Sequence, residues 1–312
     1  MPTVTVACHA MATRFEIVLH GQHAPSLRAA GEEALAEVAR LEDRLSLYRP
    51  GSEIAQLNTR AAREAVRVSP EVFALLQHAQ RLSAETGGAF DITIAPLVRC
   101  WGFLNASGRL PSPQELEAAR ELVGMKQVLL DAADRTVRFT RAGVMLDLGA
   151  IGKGYAVERA AEILRAAGVM SALIHGGTST IAALGHPPEA SHWKLALERP
   201  PATVWRGDFP PLPVVELCDE AMSVSAIWGR CFETGGKTFG HVMDPRTGQP
   251  TETAWLTAVI LPSATETDAL STALLTLGPG GQDLIAGLRT GARSLVVAGE
   301  QGVIRALPRN FA

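Results

Sequence analysis

The segment that most constrains the fold is MLDLGAIGKGYAVE, residues 145–158, where an apolar run breaks into three glycines around one lysine. A strand, a glycine loop and a helix start in this order form a cradle for an anion, because unpaired backbone N–H groups and the positive end of the helix point at the same place. Lys153 lies between Gly152 and Gly154 and adds a cation. The segment therefore predicts a strand, a phosphate-binding loop and a helix.

This loop differs from the Walker loop of P-loop NTPases. The pattern GxxxxGK[ST] needs a longer spacing before the lysine than Gly149 provides. It also needs a magnesium-ligating Ser or Thr directly after the lysine, whereas Gly154 and then Tyr155 follow Lys153 here. A phosphate site at this position is therefore not that of a P-loop NTPase.

Composition narrows the class of protein. A chain of 312 residues, 47% of them hydrophobic, can bury a substantial core. The net charge of −3 gives no general attraction to nucleic acid or to an anionic membrane surface. Four scattered cysteines without CxxC spacing argue against a structural zinc site and provide no disulfide framework. An anionic ligand would therefore need local cations or a metal ion.

The N-terminal residues MPTVTVACHAMATRFEI lack the basic and apolar regions of an export signal. No later stretch is apolar over the roughly 18 residues that a membrane span needs. We therefore expect no membrane span and no nucleic-acid partner. The sequence as written predicts a cytoplasmic protein, or a periplasmic one if it is a trimmed form.

Helical and strand patterns alternate along the chain without an internal repeat. Ser-Pro steps at 69–70 and 112–113 are typical helix starts, with a cap residue followed by proline in the first turn. Helices are predicted at 26–47, 70–86, 113–123, 153–167, 265–277 and 281–288. Strands are predicted at 13–19, as a pair around a turn within 128–139, before the glycine loop, at 171–175 and as a closing hairpin within 294–307.

Residues 200–213 hold five of the 19 prolines, so they predict a loop or an insert. Mixed strands, helices and hairpins favour an α+β fold over a regular doubly wound sheet. We predict one mixed α+β domain over residues 1–312 that contains this proline-rich loop.

The predicted helix TETDALSTALLTL, residues 265–277, carries a polar face. Asp268 and Thr272 lie one turn apart on it, and two oxygen side chains at that spacing can ligate a hard cation such as Mg²⁺. Thr265 and Asp268 also fit a capping box, in which the acid returns to the cap residue. The segment alone leaves both interpretations open.

Three further segments carry candidate residues. In TFGHVMDPRTGQP, residues 238–250, His241 precedes a tight turn and could serve as a general base, although a turn or packing role also fits. In TGGAFDITIAPL, residues 86–97, Asp91 enters a predicted strand, or forms an Asx turn after a helix C-cap. In HGGT, residues 175–178, paired glycines allow close approach of a ligand or a tight turn.

Together and in this order, the segments resemble the ApbE family, the FAD:protein FMN transferases. The resemblance runs through MATRFEI, SLYRPGSEIAQLN, TGGAFDITIAPLVRCWGF, LDLGAIGKGYAVERA, the strand ending in Gly176–Gly177, HVMDPRTGQP and ETDALSTALLTLG. It implies an α+β domain that binds FAD and uses Mg²⁺. The implied reaction moves FMN onto a threonine or serine hydroxyl of a partner flavoprotein and releases AMP.

The resemblance also implies roles for individual residues. The implied metal ligands are Asp268, Thr272 and the backbone carbonyl of Ala150. Gly152 and Lys153 would hold the FAD pyrophosphate, and Lys153 and His241 would be catalytic, with His241 accepting the proton of the attacking hydroxyl. Contacts to the flavin and adenosine parts are implied for Met11, Tyr48, Asp91, Glu158, Gly176, Gly177 and Thr178.

The sequence departs from the family pattern at two segments. The family reads Gly-Gly-Asp after its central strand, whereas Thr178 follows the glycines here, and Glu158 stands where Asp is usual. SVSAIWG at 223–229 replaces a Thr-Ser-Gly segment, and Ala226 and Ile227 cannot donate a hydroxyl hydrogen bond. Two alternative functions therefore stay open: a magnesium-dependent FAD pyrophosphatase, in which water replaces the protein hydroxyl, and a non-catalytic FAD-binding or flavin chaperone protein.

Overall fold

The computed structural model describes residues 1–105, 108–200, 209–300 and 303–311. The helices are α1 (Ala24–Leu45), α2 (Glu53–Arg60), α3 (Pro70–Glu85), α4 (Ala95–Cys100), α5 (Pro113–Arg120), α6 (Gly152–Ala166), α7 (Ala264–Leu277) and α8 (Gly281–Leu288). The strands are β1 (Thr3–Ala10), β2 (Thr13–His20), β3 (Val66–Arg67), β4 (Val128–Asp131), β5 (Thr136–Phe139), β6 (Ala172–Gly176), β7 (Thr180–Leu184), β8 (Trp193–Ala196), β9 (Val214–Leu217), β10 (Ala221–Ala226), β11 (Cys231–Thr234), β12 (Lys237–Gly240), β13 (Leu256–Leu261), β14 (Arg293–Glu300) and β15 (Val303–Arg309).

An eight-stranded sheet organises the fold, in the order β1-β2-β6-β7-β10-β13-β14-β15. Every neighbouring pair in it is antiparallel. Helices α1, α6 and α7 pack together on one face, and the β8–β9 hairpin packs on the other. Because both faces are covered, β7 and β13 are buried along their whole length. The predicted α+β fold class is confirmed.

Local side-chain chemistry accounts for the helix starts that the sequence indicates. Ser69 caps α3 through its hydroxyl, and Ser112 and Glu115 form a capping box at the start of α5. Gly87 and Gly88 follow α3 with φ of 60° and 77°, a region that favours glycine. These elements therefore form where a short sequence window contains all the required partners.

Several elements differ from the sequence-based predictions. The sequence-based predictions omit β1, α2 and α4, which the structure contains. Residues 91–94 form a turn into α4, so the strand predicted at Asp91 is wrong. Helix α1 is shifted two residues toward the N-terminus relative to the predicted 26–47, and α5 ends at Arg120 rather than near residue 123.

The apolar segment before the glycine loop, residues 144–148, is not part of any described sheet, so the strand predicted there is wrong. Asn58 of α2 replaces a strand partner. Its Nδ2 donates to the carbonyl oxygen of Leu146 at 3.0 Å, and its Oδ1 accepts the Leu146 N–H at 2.7 Å. The N–H of Asp147 donates to the carbonyl oxygen of Ile92 at 2.7 Å. A side-chain amide and a turn therefore fix the segment that leads into the loop.

Two further sequence predictions concern the proline-rich segment and membrane spans. Residues 201–208 of the loop predicted at 200–213 lie outside the described residues, whereas residues 209–213 form neither helix nor strand and lead into β9. None of the helices in the described part of the chain has both the length and the apolar composition needed to cross a membrane.

Gly154 lies where α6 crosses α7 at close range. A Cβ at this position would come 2.2 Å from the carbonyl oxygen of Ala264 and 2.6 Å from Cβ of Asp268. We expect Gly154→Ala to lower the free energy of unfolding by about 3 kcal/mol, because the contacted backbone cannot move aside as a side chain can. Denaturant-induced unfolding measures this loss.

Gly287→Ala is the matched control for this experiment. Gly287 is exposed in α8, and a Cβ there would meet nothing within 4 Å. We expect its free energy of unfolding to be unchanged or raised by up to about 1 kcal/mol. Equal stabilities of the Gly154→Ala variant and the parent would contradict the close packing of α6 on α7.

Candidate active site

Asp268 joins the glycine loop to α7. Its Oδ2 accepts the N–H of Gly154 at 2.9 Å, and its Oδ1 lies 3.8 Å from Nζ of Lys153. The carboxylate is almost fully buried, with 6% of the side chain exposed. A carboxylate at the first turn of a helix is stabilised by the unpaired N–H groups and the positive dipole end. Helix α7 therefore places a negative charge beside the predicted anion cradle, next to its lysine.

The capping interpretation of Asp268 is wrong. Helix α7 begins at Ala264 and its N-cap is Ser263, whose Oγ accepts the N–H of Glu266 at 3.2 Å. Asp268 therefore lies in the second turn, and its carboxylate bonds to α6 instead of to the start of its own helix.

The glycine loop is closed by its own residues. Lys153 Nζ donates to the carbonyl oxygen of Gly149 at 3.1 Å, and Oδ1 of Asp147 accepts the N–H of Gly149 at 2.8 Å. The N–H groups of Ile151 and Gly152 donate to the carbonyl oxygen of Leu148 at 3.0 and 2.7 Å. These bonds fix the backbone on both sides of Ala150.

Thr272 lies one turn after Asp268 on α7, as the spacing predicts. Its Oγ1 lies 3.2 Å from Oγ of Ser225 on β10 and donates to the carbonyl oxygen of Asp268 at 3.3 Å. Ser225 also contacts Oγ of Ser271 at 2.9 Å. The sheet therefore holds the Thr272 hydroxyl in place through Ser225.

The set of donor atoms that the family resemblance implies suits a hard divalent cation. Among the described residues, no group of three or more His, Cys, Asp or Glu side chains could hold a metal ion. One carboxylate, one hydroxyl and one backbone carbonyl are instead the oxygen donors that Mg²⁺ prefers, and Mg²⁺ usually keeps several waters and substrate phosphates as further ligands. Asp268, Thr272 and Ala150 therefore have the chemistry that the implied metal requires.

His241 follows β12 and is held by Arg230. The ring atom Nδ1 of His241 lies 3.2 Å from the backbone nitrogen of Arg230 and 3.1 Å from its carbonyl oxygen. The backbone N–H of His241 donates to the same carbonyl oxygen at 2.9 Å. Burial, together with the charges of Arg230 and Lys153, lowers the pKa of His241 to about 4. The imidazole is therefore neutral at pH 7, which is the form that accepts a proton.

The predicted turn after His241 is confirmed. The N–H of Gly248 donates to the carbonyl oxygen of Asp244 at 2.8 Å, and Gly248 has φ of 76°. The Asp244 carboxylate accepts the backbone N–H and the guanidinium of Arg246. This turn fixes the strand end from which His241 projects.

Met11 and the paired glycines lie in turns at the same end of the sheet, because β2 pairs with β6. Met11 and Ala12 form the two-residue turn between β1 and β2 with φ of 51° and 58°, an unusual conformation for residues other than glycine. Gly177 has φ of 68°, and a Cβ there would lie 2.5 Å from Oγ1 of Thr13. Thr178 is exposed in the next position.

Gly176 ends β6 against α6. A Cβ there would come 2.8 Å from Cγ2 of Val157, so a larger residue would push the turn away from the helix that carries the glycine loop. The close approach that the paired glycines allow is therefore between two parts of this chain. Their contact with a ligand stays a prediction.

Both carboxylate oxygens of Asp91 take part in hydrogen bonds within the chain. Oδ1 accepts the N–H and the hydroxyl of Thr93 at 2.8 and 2.5 Å, and Oδ2 accepts from the Ser83 hydroxyl at 3.1 Å and the Met125 N–H at 3.0 Å. The Asx turn that the sequence allows is confirmed. Asp91 joins α3 to the turn before α4, and its flavin contact stays a prediction.

Glu158 and Tyr48 lie in different surroundings. Oε2 of Glu158 accepts the Ser263 hydroxyl at 2.6 Å and the Thr265 N–H at 2.9 Å, so it stabilises the start of α7. Tyr48 lies in the loop between α1 and α2 and is 64% exposed. Its ring is open to solvent, and the ligand contacts of both residues stay predictions.

Four residues outside the predicted set shape the site. Asp147 lies inside the quoted glycine-loop segment, and burial raises its pKa. Ser225 lies inside SVSAIWG and retains a hydroxyl beside the two apolar replacements. Asn58 and Arg230 have no local sequence signal, because their partners lie 88 and 11 residues away.

The chain is thus an α+β protein with a covered antiparallel sheet, and its candidate site combines a glycine loop, a lysine and a neighbouring carboxylate. The model of the ApbE family matches residues 11–295. The chain therefore belongs to the ApbE family.

Individual relatives agree with this assignment. The FAD:protein FMN transferase of Haemophilus influenzae is 30% identical over 263 residues, which cover 81% of this chain and 75% of the relative. The protein of the same name from Treponema pallidum is 32% identical over 269 residues, covering 82% and 73%. Among solved structures, the ApbE protein of Thermotoga maritima has a TM-score of 0.86 at 29% identity and covers 97% of this chain and 96% of its own. The apo flavinyl transferase ApbE of Pseudomonas stutzeri has a TM-score of 0.84 at 30% identity, covering 98% and 94%.

Proposed function

We propose that this protein transfers FMN from FAD to a threonine or serine hydroxyl of a partner flavoprotein and releases AMP. The observation that carries the proposal is the meeting of Asp268, Lys153 and the first turn of α6 at the glycine loop. A pyrophosphate group needs positive charge in one place, and Lys153 supplies it at the loop, beside the carboxylate that would hold a metal ion. Relatives that align over most of the chain are named for this activity.

The proposed reaction uses Mg²⁺. Asp268, Thr272 and the carbonyl of Ala150 would hold the ion. Bound there, Mg²⁺ supplies positive charge that neutralises phosphate oxygens. Lys153 brings a second positive charge from α6, and its bond to the Gly149 carbonyl holds its ammonium group at the loop.

The proposed reaction is a displacement at phosphorus. The acceptor hydroxyl oxygen forms a bond to the FMN-side phosphorus, and the bond from that phosphorus to the bridging oxygen of AMP breaks. AMP leaves with the bridging oxygen, and Nε2 of His241 accepts the hydroxyl proton. The protein contributes mainly position and charge, as in other phosphoryl transfers. Bound phosphates raise the pKa of His241 above its value in the free protein, because nearby negative charge favours the imidazolium form.

The two departures from the family pattern concern the acceptor in this proposal. Thr178 is exposed at the turn after β6, and Ala226 ends β10 next to Ser225. Ser225 keeps its hydroxyl bond to Thr272, so the metal side of the site retains its polar support. We therefore assign the effect of Thr178 and Ala226 to the choice of acceptor rather than to FAD binding.

Mass spectrometry of an acceptor tests the proposal. The protein is incubated with FAD, Mg²⁺ and a candidate flavoprotein, and transfer yields an acceptor with covalent FMN and one AMP for each FMN attached. AMP and free FMN without a labelled acceptor would identify a pyrophosphatase instead. FAD binding with neither product would identify a non-catalytic binding protein.

Lys153→Ala is expected to weaken FAD binding roughly tenfold to a hundredfold, the range for loss of a charge-assisted hydrogen bond. The affinity for riboflavin, which has no phosphate, should change much less. Calorimetry or flavin fluorescence measures both affinities. Lys194→Ala on β8, where the side chain is 67% exposed, is the control and should change neither. Equal losses for the two ligands would show that Lys153 does not contact the pyrophosphate.

A further inference from the structure

Arg230 is fixed beside the candidate active site by its backbone. It lies in the loop between β10 and β11, and both its N–H and its carbonyl contact Nδ1 of His241. Arg230 is exposed to solvent, so its guanidinium can reach a ligand. Within the described residues, the guanidinium forms no ion pair at contact distance with an acid of the chain. An unpaired arginine therefore lies next to the proposed proton acceptor.

The charge of Arg230 acts on the same groups as the charge of Lys153. Both cations lower the pKa of His241, and both oppose the rise that burial causes in the pKa of Asp147. They come from different elements, Lys153 from α6 and Arg230 from the β10–β11 loop. The space between Asp147 and His241 is therefore within range of two cations that approach from separate parts of the fold.

Nearby carboxylates neutralise the charges of Lys153 and Arg230 to different extents. Lys153 has the carboxylate of Asp268 at 3.8 Å, whereas no acid in the described part of the chain pairs with Arg230 at contact distance and Asp147 interacts with it over a longer range. Among the described residues, Arg230 is therefore the cation of the two without an acid at contact distance, and its charge is available to an anionic ligand. An arginine has a planar fork of donors that matches two phosphate oxygens at once. The arrangement therefore suits a ligand with two linked phosphates.

We propose that Arg230 is a second substrate-contacting cation, whose guanidinium binds the pyrophosphate of FAD together with Lys153. The inference rests on the proposed function and adds to it a residue outside the glycine loop. The guanidinium of Arg230 neutralises charge that develops on the phosphate oxygens as the bond to AMP breaks. Because the same residue holds Nδ1 of His241 through its backbone, it also fixes the proton acceptor relative to the phosphates.

Binding of ADP and adenosine in the presence of Mg²⁺ tests this role without turnover. By calorimetry, Arg230→Gln should weaken ADP binding roughly tenfold to a hundredfold and adenosine binding by less than about twofold. Arg230→Lys should fall between the parent and Arg230→Gln, because it keeps the charge and loses the fork. Arg67→Gln on β3, a side chain that is 67% exposed, removes the same charge elsewhere and should change neither affinity.

The outcomes separate this inference from the proposed function. Equal weakening of ADP and adenosine binding in Arg230→Gln would show that Arg230 only supports the loop. Unchanged ADP affinity in this variant would show that Arg230 does not contact the pyrophosphate. Either result overturns the inference. A parent protein that binds ADP no more tightly than adenosine would also overturn it. If the Arg230 variants show the expected losses of ADP affinity while the parent labels no acceptor, the result would count against FMN transfer alone and would support the role of Arg230.

Discussion

Asp268→Asn is expected to slow the magnesium-dependent release of AMP from FAD by about a thousandfold or more. The substitution removes the one carboxylate among the proposed metal ligands, and several kcal/mol of charge stabilisation correspond to a factor of this size. The amide oxygen of asparagine can still accept the N–H of Gly154, so the contact between α7 and α6 is kept. AMP release followed over a magnesium titration gives both the rate and the apparent metal affinity.

The fold of this variant should survive, and its unfolding midpoint checks that it does. Asp283→Asn on α8 is the control, because it removes the same charge from a side chain that is 84% exposed and pairs with Arg309. Its activity should stay within about twofold of the parent. If Asp268→Asn turns over FAD at the parent rate with the same magnesium requirement, Asp268 serves only to join α7 to α6.

The elements that the sequence predicts correctly are those whose causes are local. The start of α3 depends on Ser69 and the proline after it, and the start of α5 on Ser112 and Glu115. The β4–β5 pair and helix α8 follow from short patterns with turn residues between them. In each of these cases a window of a few residues holds both partners of every decisive contact.

The elements that the sequence-based predictions miss have both distant and local causes. Residues 144–148 read as a strand because they are apolar, yet Asn58 bonds both backbone groups of Leu146 from 88 residues away. Strand β1 pairs with β2 and packs against α1, and the alternating residues 3–6 are a local strand signal that the prediction omits. Asp91 begins no strand because its carboxylate accepts the Thr93 N–H and closes a turn.

In the candidate site, too, some features follow from local sequence and others from contacts between distant residues. Spacing places Asp268 and Thr272 on one face of a helix and cannot decide between a cap and a metal ligand. The contact of Asp268 with Gly154 decides against the cap, and this contact joins residues 114 positions apart. The resemblance to the ApbE family selected His241, whereas its lowered pKa depends on Arg230, which sequence patterns do not single out.

His241→Asn is expected to reduce FMN transfer by roughly 10² to 10⁴, the usual weight of general acid–base catalysis. FAD affinity should stay within a few-fold of the parent, because the proposed phosphate contacts come from Lys153, Arg230 and the glycine loop. The comparison uses single-turnover transfer to the acceptor and equilibrium FAD binding. A parallel loss of both quantities would assign His241 to the structure of the loop rather than to proton transfer.

The pH dependence of the parent gives a second test of His241. In the free protein its pKa is lowered from 6.5 to about 4, so the unfolded chain binds a proton in this range that the folded chain does not. The contribution of His241 to stability is therefore lost as the pH falls from 6.5 toward 4. Because kcat/KM reports the free enzyme, it should change by less than about twofold between about pH 8 and about pH 5.5. A fall with a midpoint near pH 6.5 that disappears in His241→Asn would show that the imidazole titrates normally. That result would contradict the lowering of its pKa by burial and by the charges of Arg230 and Lys153.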